Sequence, residues 1–278
     1  MSDFSVEWLA LRESADARSR DARLLHNALS FLQNQKSMIS ALTIADLGAG
    51  TGSTMRMFSS LNNKFAEELW WRLIDSDATL LAEAKRRHKD LKQVQYFKLD
   101  LNELVKLPLN NTQLITASAL FDLVSAEFID AFADMMKTLS EKSSVGFYSS
   151  LNYDGAITWE PSHPLDETVL YAFNEDQRRD KGFGLALGPD ANAYLREKLE
   201  NSGFEVSGAP SPWQLDNADE NLVLELISGI ANALTSSSKF DRAALAEWVA
   251  YRKAHVKSGS CSVGHQDILA LPENIHAI

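Results

Sequence analysis

Three glycines at alternate positions, Gly48, Gly50 and Gly52, separate an apolar run containing a carboxylate, Thr43-Ile44-Ala45-Asp46-Leu47, from Ser53-Thr54 and the apolar Met55, Met57, Phe58 and Leu61. The order reads as strand, tight turn and helix start, with a Ser/Thr pair suited to cap the helix. Such a turn brings bare backbone against a ligand, because a Cβ at the glycines would block either positive φ values or the ligand's approach. A dinucleotide fingerprint needs G-x-G-x-x-G or A. Counted from Gly48 the sixth position is Ser53, which weakens an NAD-dependent oxidoreductase. A phosphate-binding P-loop is excluded, since no Gly-Lys-Ser/Thr ends the run. Two further carboxylates, Asp75 and Asp100, close the apolar runs at 68–75 and 94–100. Asp75 lies 23 residues beyond Gly52. A carboxylate so placed at the end of a second strand can accept the hydroxyls of a ribose. Asp77 reads instead as the cap of the following helix.

The run Asp46-Leu47-Gly48-Ala49-Gly50-Thr51-Gly52 resembles the first motif of class I S-adenosylmethionine-dependent methyltransferases, acid-x-Gly-x-Gly-x-Gly. The resemblance covers residues 40–155 well and 190–271 by topology alone. It implies an α/β fold, a three-layer αβα sandwich on a mostly parallel seven-stranded sheet of order 3-2-1-4-5-7-6, with N-terminal helices and helical insertions. It also implies S-adenosylmethionine as cofactor, held by Asp46, Gly48, Ala49 and Gly50 on the first turn and by Asp75 and Ser76 on the second. On the third turn Asp100 would meet the adenine amino group and the backbone of Leu101 the ring. Ser118 would lie beside the methionine part, and an N-terminal cover would bring an arginine, Arg12 or Arg20, to the cofactor's carboxylate; Arg20 is the one assigned. Many members that act on amino or nucleic-acid groups carry an Asn/Asp-Pro-Pro-aromatic run where this chain has Thr116-Ala117-Ser118-Ala119. A nucleobase amine loses support as acceptor.

Three turns fall along one crevice only if strands and helices alternate in a parallel sheet. Hydrophobic spacing supplies the parts. Residues 6–36 read as two helices, and Trp8, Arg12, Asp16 and Arg20, four residues apart, share one stripe of the first. Strands are expected at 43–47, 68–75, 94–100, 113–119, 145–153, 204–208 and 261–271. Helices fall between them, including a late pair around Leu226 and Trp248. A serine hinge at 236–238 divides that pair, and Ser238 with Asp241 makes a capping box. The chain is expected to be one methyltransferase domain over 1–278. Within it, 1–39 is the helical cover, 40–153 the cofactor core, 154–189 a substrate-side insertion and 190–278 the rest of the sheet, with a helical insertion at about 217–258.

At 278 residues and 45% hydrophobic, the chain can bury a substantial core. Its net charge of −11 removes a general attraction to phosphate backbones, so nucleic acid is not expected as a partner. No basic-then-apolar leader and no run of eighteen apolar residues occurs, so a cytoplasmic protein without membrane attachment is expected. Cys261 is the only cysteine, and no two of the six histidines sit at i, i+4 around an acid; no disulfide or metal is expected.

Methyl transfer from a sulfonium demands alignment of nucleophile, methyl and sulfur more than it demands a triad. Candidate catalytic residues are Asp122, after the fourth strand, and Tyr153 and His163, where the insertion begins. With Trp159 they would form an acceptor-side lid, since long connections rich in aromatic residues usually carry function. The function expected is methyl transfer to a small-molecule acceptor by direct displacement. The alternative is a non-catalytic module that binds S-adenosylmethionine or S-adenosylhomocysteine and serves a partner protein.

Overall fold

Short apolar runs covered on both faces form the centre of the molecule, as a parallel sheet flanked by helices requires. The computed structural model describes residues 4–39, 41–61, 64–235 and 240–273. Helices α1 (Val6–Ser19) and α2 (Ala22–Gln35) precede β1 (Thr43–Leu47), α3 (Ser53–Ser60), α4 (Lys64–Glu67), β2 (Trp70–Asp75), α5 (Ala78–Arg87), β3 (Val94–Lys98) and β4 (Leu114–Ser118). There follow α6 (Ala126–Ser140), β5 (Gly146–Glu160), α7 (Asp166–Gln177), α8 (Ala191–Asn201), β6 (Phe204–Pro210), β7 (Trp213–Leu215), α9 (Glu220–Thr235), α10 (Arg242–His255) and β8 (Ser260–Pro272). Short polar side chains start the helices by taking up free amides: Ser5, Asp21, Asp77, Ser125 and Asp241 cap α1, α2, α5, α6 and α10. The serine hinge at 236–238, and with it Ser238 of the expected capping box, lies outside the described residues.

The sheet runs β3-β2-β1-β4-β5-β8-β6, with β8 antiparallel to both neighbours. This is the expected order, but the last strand is the eighth because the three-residue β7 also pairs with β8. Three residues carry too little alternation to be read as a strand. Side chains of each strand divide between two helical layers. Ala45, Ile115 and Phe147 pack with Phe132 and Met136 of α6 and Leu195 of α8. Ile44, Leu73 and Tyr148 pack with Leu29 of α2, Phe58 of α3 and Leu81 of α5. Each fully buried Leu, Ile, Phe or Met side chain among them stabilises the fold by about 1.5–3 kcal/mol.

The fifth strand passes Tyr153, its expected end, and runs to Glu160. Register shifts against β8 between Ser149 and Asn152 and between Tyr153 and Ile157 bend it, as bulges do. Since Ser118, the last residue of β4, pairs with Ser150, the remainder of β5 stands beyond the carboxyl edge of the sheet. There it pairs with the start of β8, which pairs with β7 on its other side. The extension has its own core, in which Tyr153, Ile157 and Trp213 meet Val169 of α7, Ile227 of α9, Trp248 of α10 and Ala15 of α1. Among the described residues no helix is long and apolar enough to cross a membrane.

Candidate functional site

Strand β1 has β2 on one side and β4 on the other, so the chain leaves it in opposite directions and opens a crevice at its carboxyl end. A cavity of about 640 Å³ lies there, within the size range of small-molecule sites. Its first wall is the glycine turn. Gly48, Gly50 and Gly52 have φ of 64°, 52° and 79°, a region costly for residues with a Cβ. The three differ in what surrounds them. A Cβ on Gly52 would come within 2.7 Å of the His88 ring, whereas one on Gly50 would meet Leu9 of α1 at 3.0 Å. Gly52 therefore serves packing of the turn on α5, and Gly50 faces the ligand side beneath α1. His88 approaches Arg56 at 3.2 Å, and Arg56 pairs with Glu13 of α1 at 2.6 Å. Burial and the neighbouring Arg56 push the imidazole down to about 4, so it is neutral near pH 7.

Asp75 forms the second wall. Its Oδ2 accepts from the Gly50 amide at 2.8 Å and its Oδ1 from the Asp77 amide at 2.9 Å, which fix the carboxylate. Burial raises its pKa, and these two amides oppose the rise. Asp77 uses Oδ1 to cap α5, accepting from Thr79 and Leu80. On the third wall, Oδ1 of Asp100 accepts from both the backbone and side-chain nitrogens of Asn102, at 2.9 and 3.1 Å. Asn102 Nδ2 also donates to the Gly182 carbonyl at 2.9 Å. The fourth wall is Ser118 and Ala119, the latter at φ 50° despite its Cβ, which is backbone strain stored on the cavity surface.

Behind these walls lie two buried ionisable side chains. Arg20 donates Nη2 to Ser118 Oγ at 3.0 Å and Nε to Ser150 Oγ at 3.2 Å, both neutral hydroxyls. Asp46 accepts from Thr116 Oγ1 at 2.7 Å through Oδ1, while its buried Oδ2 has no partner. Burial pushes this carboxyl up to about 7, against the pull of Thr116 and Arg20. The roof is α1, through Leu9, Arg12 and Asp16, and the turn that carries Lys181, Gly182 and Phe183. Phe183 packs edge-on to Phe128 at 5.2 Å, between glycines with φ of 105° and 82°.

The cavity thus brings together Gly48, Ala49, Gly50, Asp75, Ser76, Asp100, Leu101 and Ser118. Asp46 and Arg20 stand behind it. The expected catalytic residues do not line it. Asp122 is buried between the cavity residues Leu120 and Leu123, with Oδ1 unpartnered, and burial pushes it up to about 6. Tyr153 belongs to the extension's core, where its hydroxyl donates to Asn174 Oδ1 at 2.8 Å and burial raises its pKa. His163 shapes the turn into α7: its amide donates to Asp166 Oδ2 at 2.7 Å and its Nδ1 accepts from the Leu165 amide at 3.2 Å. Trp159 packs edge-on to Trp248 under the Arg252 guanidinium. The insertion therefore reaches the cavity through 181–183 and not through its aromatic beginning. Leu9, Asn102 and Leu123 carried no sequence signal of their own; a lone apolar or amide side chain is identified as cavity wall only by its neighbours in space.

No protein-family model matches the chain, and no curated protein matches it in sequence. Solved structures do match. The cyclopropane synthase MmaA2 from Mycobacterium tuberculosis is 12% identical, over 96% of this chain and 95% of its own, with a TM-score of 0.52. The YcgJ protein from Bacillus subtilis is 14% identical over 89% and 98%, with a TM-score of 0.49. Geranyl diphosphate C-methyltransferase from Streptomyces coelicolor A3(2) is 10% identical over 89% and 75%, with a TM-score of 0.43. The likeness to the first is one of fold, and the fold is the class I methyltransferase sandwich.

Proposed function

We propose that the chain is an S-adenosylmethionine-dependent methyltransferase that transfers a methyl group to a small-molecule acceptor by direct in-line displacement. The observation that carries this reading is the convergence of a positive-φ glycine turn, the oriented carboxylate of Asp75 and the acid Asp100 on one cavity at the switch point of the sheet. The residues present fit the cofactor. Gly48 and Gly50 keep Cβ atoms out of the wall. Each Asp75 oxygen is bonded to one amide and retains a lone pair for a ribose hydroxyl. Asp100 and the Leu101 backbone would hold the adenine, and Ser118, with the Arg20 guanidinium bonded to it from behind the wall, would face the amino-acid carboxylate.

The bound cofactor supplies a methyl group already activated by its sulfonium. The chain's own task is to orient and to exclude water. Leu9 and Phe183 close the cavity from two sides, and Glu13, paired with Arg56 and Arg87, holds α1 down on α3 and α5. Orientation of this kind can lower a barrier by on the order of 7–11 kcal/mol. Where the acceptor must lose a proton, Asp122 is not placed to take it directly, since it is buried off the cavity surface between Leu120 and Leu123. Tyr153 and His163 are assigned to the extension's packing. The net charge of −11 favours a small metabolite over nucleic acid as acceptor.

Isothermal titration of the full chain with S-adenosylmethionine, S-adenosylhomocysteine and NAD tests the reading. Binding of the first two and not the third is expected. Binding of NAD alone would overturn it. A metabolite screen that follows S-adenosylhomocysteine release then separates an enzyme from a cofactor-binding module.

A further inference from the structure

We propose that the acceptor carries a carboxylate on an apolar body, seated between α1 and the turn 181–183 with the carboxylate on Arg12 and Lys181. The proposal rests on the cofactor reading above, which assigns the turns after β1 to β4 to the cofactor and leaves the roof for the acceptor.

Hydrogen-bonding capacity on the roof is one-sided. Arg12 donates Nε to Asp16 Oδ2 at 2.9 Å and Nη2 to Asp16 Oδ1 at 3.2 Å. These bonds use two of the five N–H groups of a guanidinium. Trp213 Nε1 donates to the same Asp16 Oδ1 at 2.9 Å, and its ring lies 5.0 Å beneath the guanidinium. Asp16 is therefore occupied by protein donors on both oxygens, while Arg12 is held flat with donors to spare. Arg12 is only 8% exposed and lines the cavity, and its nitrogens are not among the sealed, unpartnered atoms. The spare donors are presented to the cavity.

Lys181 repeats the pattern. Its ammonium meets Asp176 Oδ2 at 3.2 Å, and Arg179 takes the other oxygen of Asp176 at 3.0 Å. Again the anion is filled and the cation keeps free N–H groups. Arg12, from α1, and Lys181, from the turn 181–183, both line the roof of the one cavity. A cationic acceptor would meet two cations there with their carboxylates already taken. A neutral acceptor would expel water and leave the charged donors unpaired, which is costly. A planar carboxylate can accept from a guanidinium edge and an ammonium together. One negative charge suits cations already half-neutralised by Asp16 and Asp176 better than the two of a phosphate. The rest of the roof is Leu9, Leu120, Leu123 and Phe183, so the remainder of the acceptor is hydrocarbon or aromatic.

The test is titration of the full chain saturated with S-adenosylhomocysteine, using octanoate and 3-phenylpropionate as probes against 3-phenylpropanamide, 3-phenylpropylamine and 3-phenylpropyl phosphate. At least one acid should bind about tenfold or more tightly than the amide, amine and phosphate. Lys181→Met should weaken that acid about tenfold with S-adenosylhomocysteine affinity unchanged. Arg12→Lys, which keeps a cation for Asp16 but loses the planar fork, should do the same. Equal binding of acid and amide, tighter binding of the phosphate, no binding of either acid at millimolar concentration, or full affinity in both variants would each overturn the proposal. Failure of the wild type to bind S-adenosylhomocysteine would instead remove the cofactor reading, and this proposal with it.

Discussion

Asp46 enters the glycine turn with one oxygen bonded and the other buried without a partner. Its carboxyl titrates near 3.8 when unfolded and is pushed up to about 7 in the fold. Between those values the folded chain keeps a proton that the unfolded chain has lost, so stability is full below about 4 and falls as pH rises through about 7. Asp46→Asn mimics the protonated form and removes this dependence. Relative to wild type, the variant should gain on the order of 2–4 kcal/mol between pH 5 and pH 8, measured by denaturant unfolding at both. His88 and His265, both pushed down to about 4, shift stability the opposite way but are common to both proteins and cancel in the difference. An unchanged difference at the two pH values would mean that Asp46 is ionised throughout. Asp75 and Asp77 separate binding from capping. Asp75→Ala should weaken S-adenosylhomocysteine at least about tenfold, since hydrogen bonds to a charged group are worth about 1.5–3 kcal/mol each. Asp77→Ala should mainly cost the α5 cap, about 1 kcal/mol, seen as a lower melting temperature. Equal losses of affinity in calorimetry would reverse these roles.

At the scale of elements, the three turns that line the cavity were legible because each depends on local chemistry: a glycine where φ is positive, an acid where a strand stops. The course of the chain after the fifth strand was not. Asp154-Gly155-Ala156 reads as the end of a strand, yet Gly155, at φ 90°, sits in a register shift, and pairing of Ile157, Thr158, Trp159 and Glu160 with β8 carries the strand onward. Tertiary pairing overrides the local turn signal, and with it moves Tyr153 and His163 out of the cavity and into the packing of the extension. The cover on the cavity was legible only in part, since the stripe of Trp8, Arg12, Asp16 and Arg20 showed a shared face but not which arginine would reach the wall. Tyr153→Phe, which leaves Asn174 without its phenolic donor, and His163→Ala, which removes a turn bond and a ring contact with Tyr251, should each lower stability by about 1–2 kcal/mol. S-adenosylhomocysteine affinity by calorimetry should stay within twofold of wild type, roughly 0.4 kcal/mol. Loss of affinity without loss of melting temperature would return these residues to the site.

Across the whole molecule, α1 is the piece that joins the sandwich to its extension. Its Glu13 holds Arg56 of α3 and Arg87 of α5, its Asp16 accepts from Trp213 of β7, and Arg18 pairs with Asp219 before α9. The junction to α2 is fixed to the sheet, since the Asp21 amide donates to Asp267 Oδ2 at 3.0 Å. The same carboxylate takes the Tyr148 hydroxyl and the amide of Leu151, a residue at φ 58°. Arg20, beside that junction, reaches Ser118 and Ser150 at the ends of β4 and β5. Any ligand in the cavity is therefore enclosed by the turns of the sandwich together with α1 and 181–183, and its binding energy should appear as protection of the roof as well as of the turns. Local opening of α1 sets the rate at which its amides exchange, and a ligand touching the closed form raises that opening free energy, by about 2.7 kcal/mol at one hundred times its dissociation constant. With S-adenosylhomocysteine at that level, hydrogen exchange should slow by up to about a hundredfold in the second half of α1 and in 181–185, alongside 48–54, 75–80 and 100–102. Arg56→Ala, which removes a main anchor of α1 without lining the cavity, should speed exchange of α1 in the free protein, and should weaken S-adenosylhomocysteine only as far as it populates the open form. Protection confined to the three turns, or exchange of α1 indifferent to both ligand and Arg56→Ala, would show that the helix lies over the cavity without closing it.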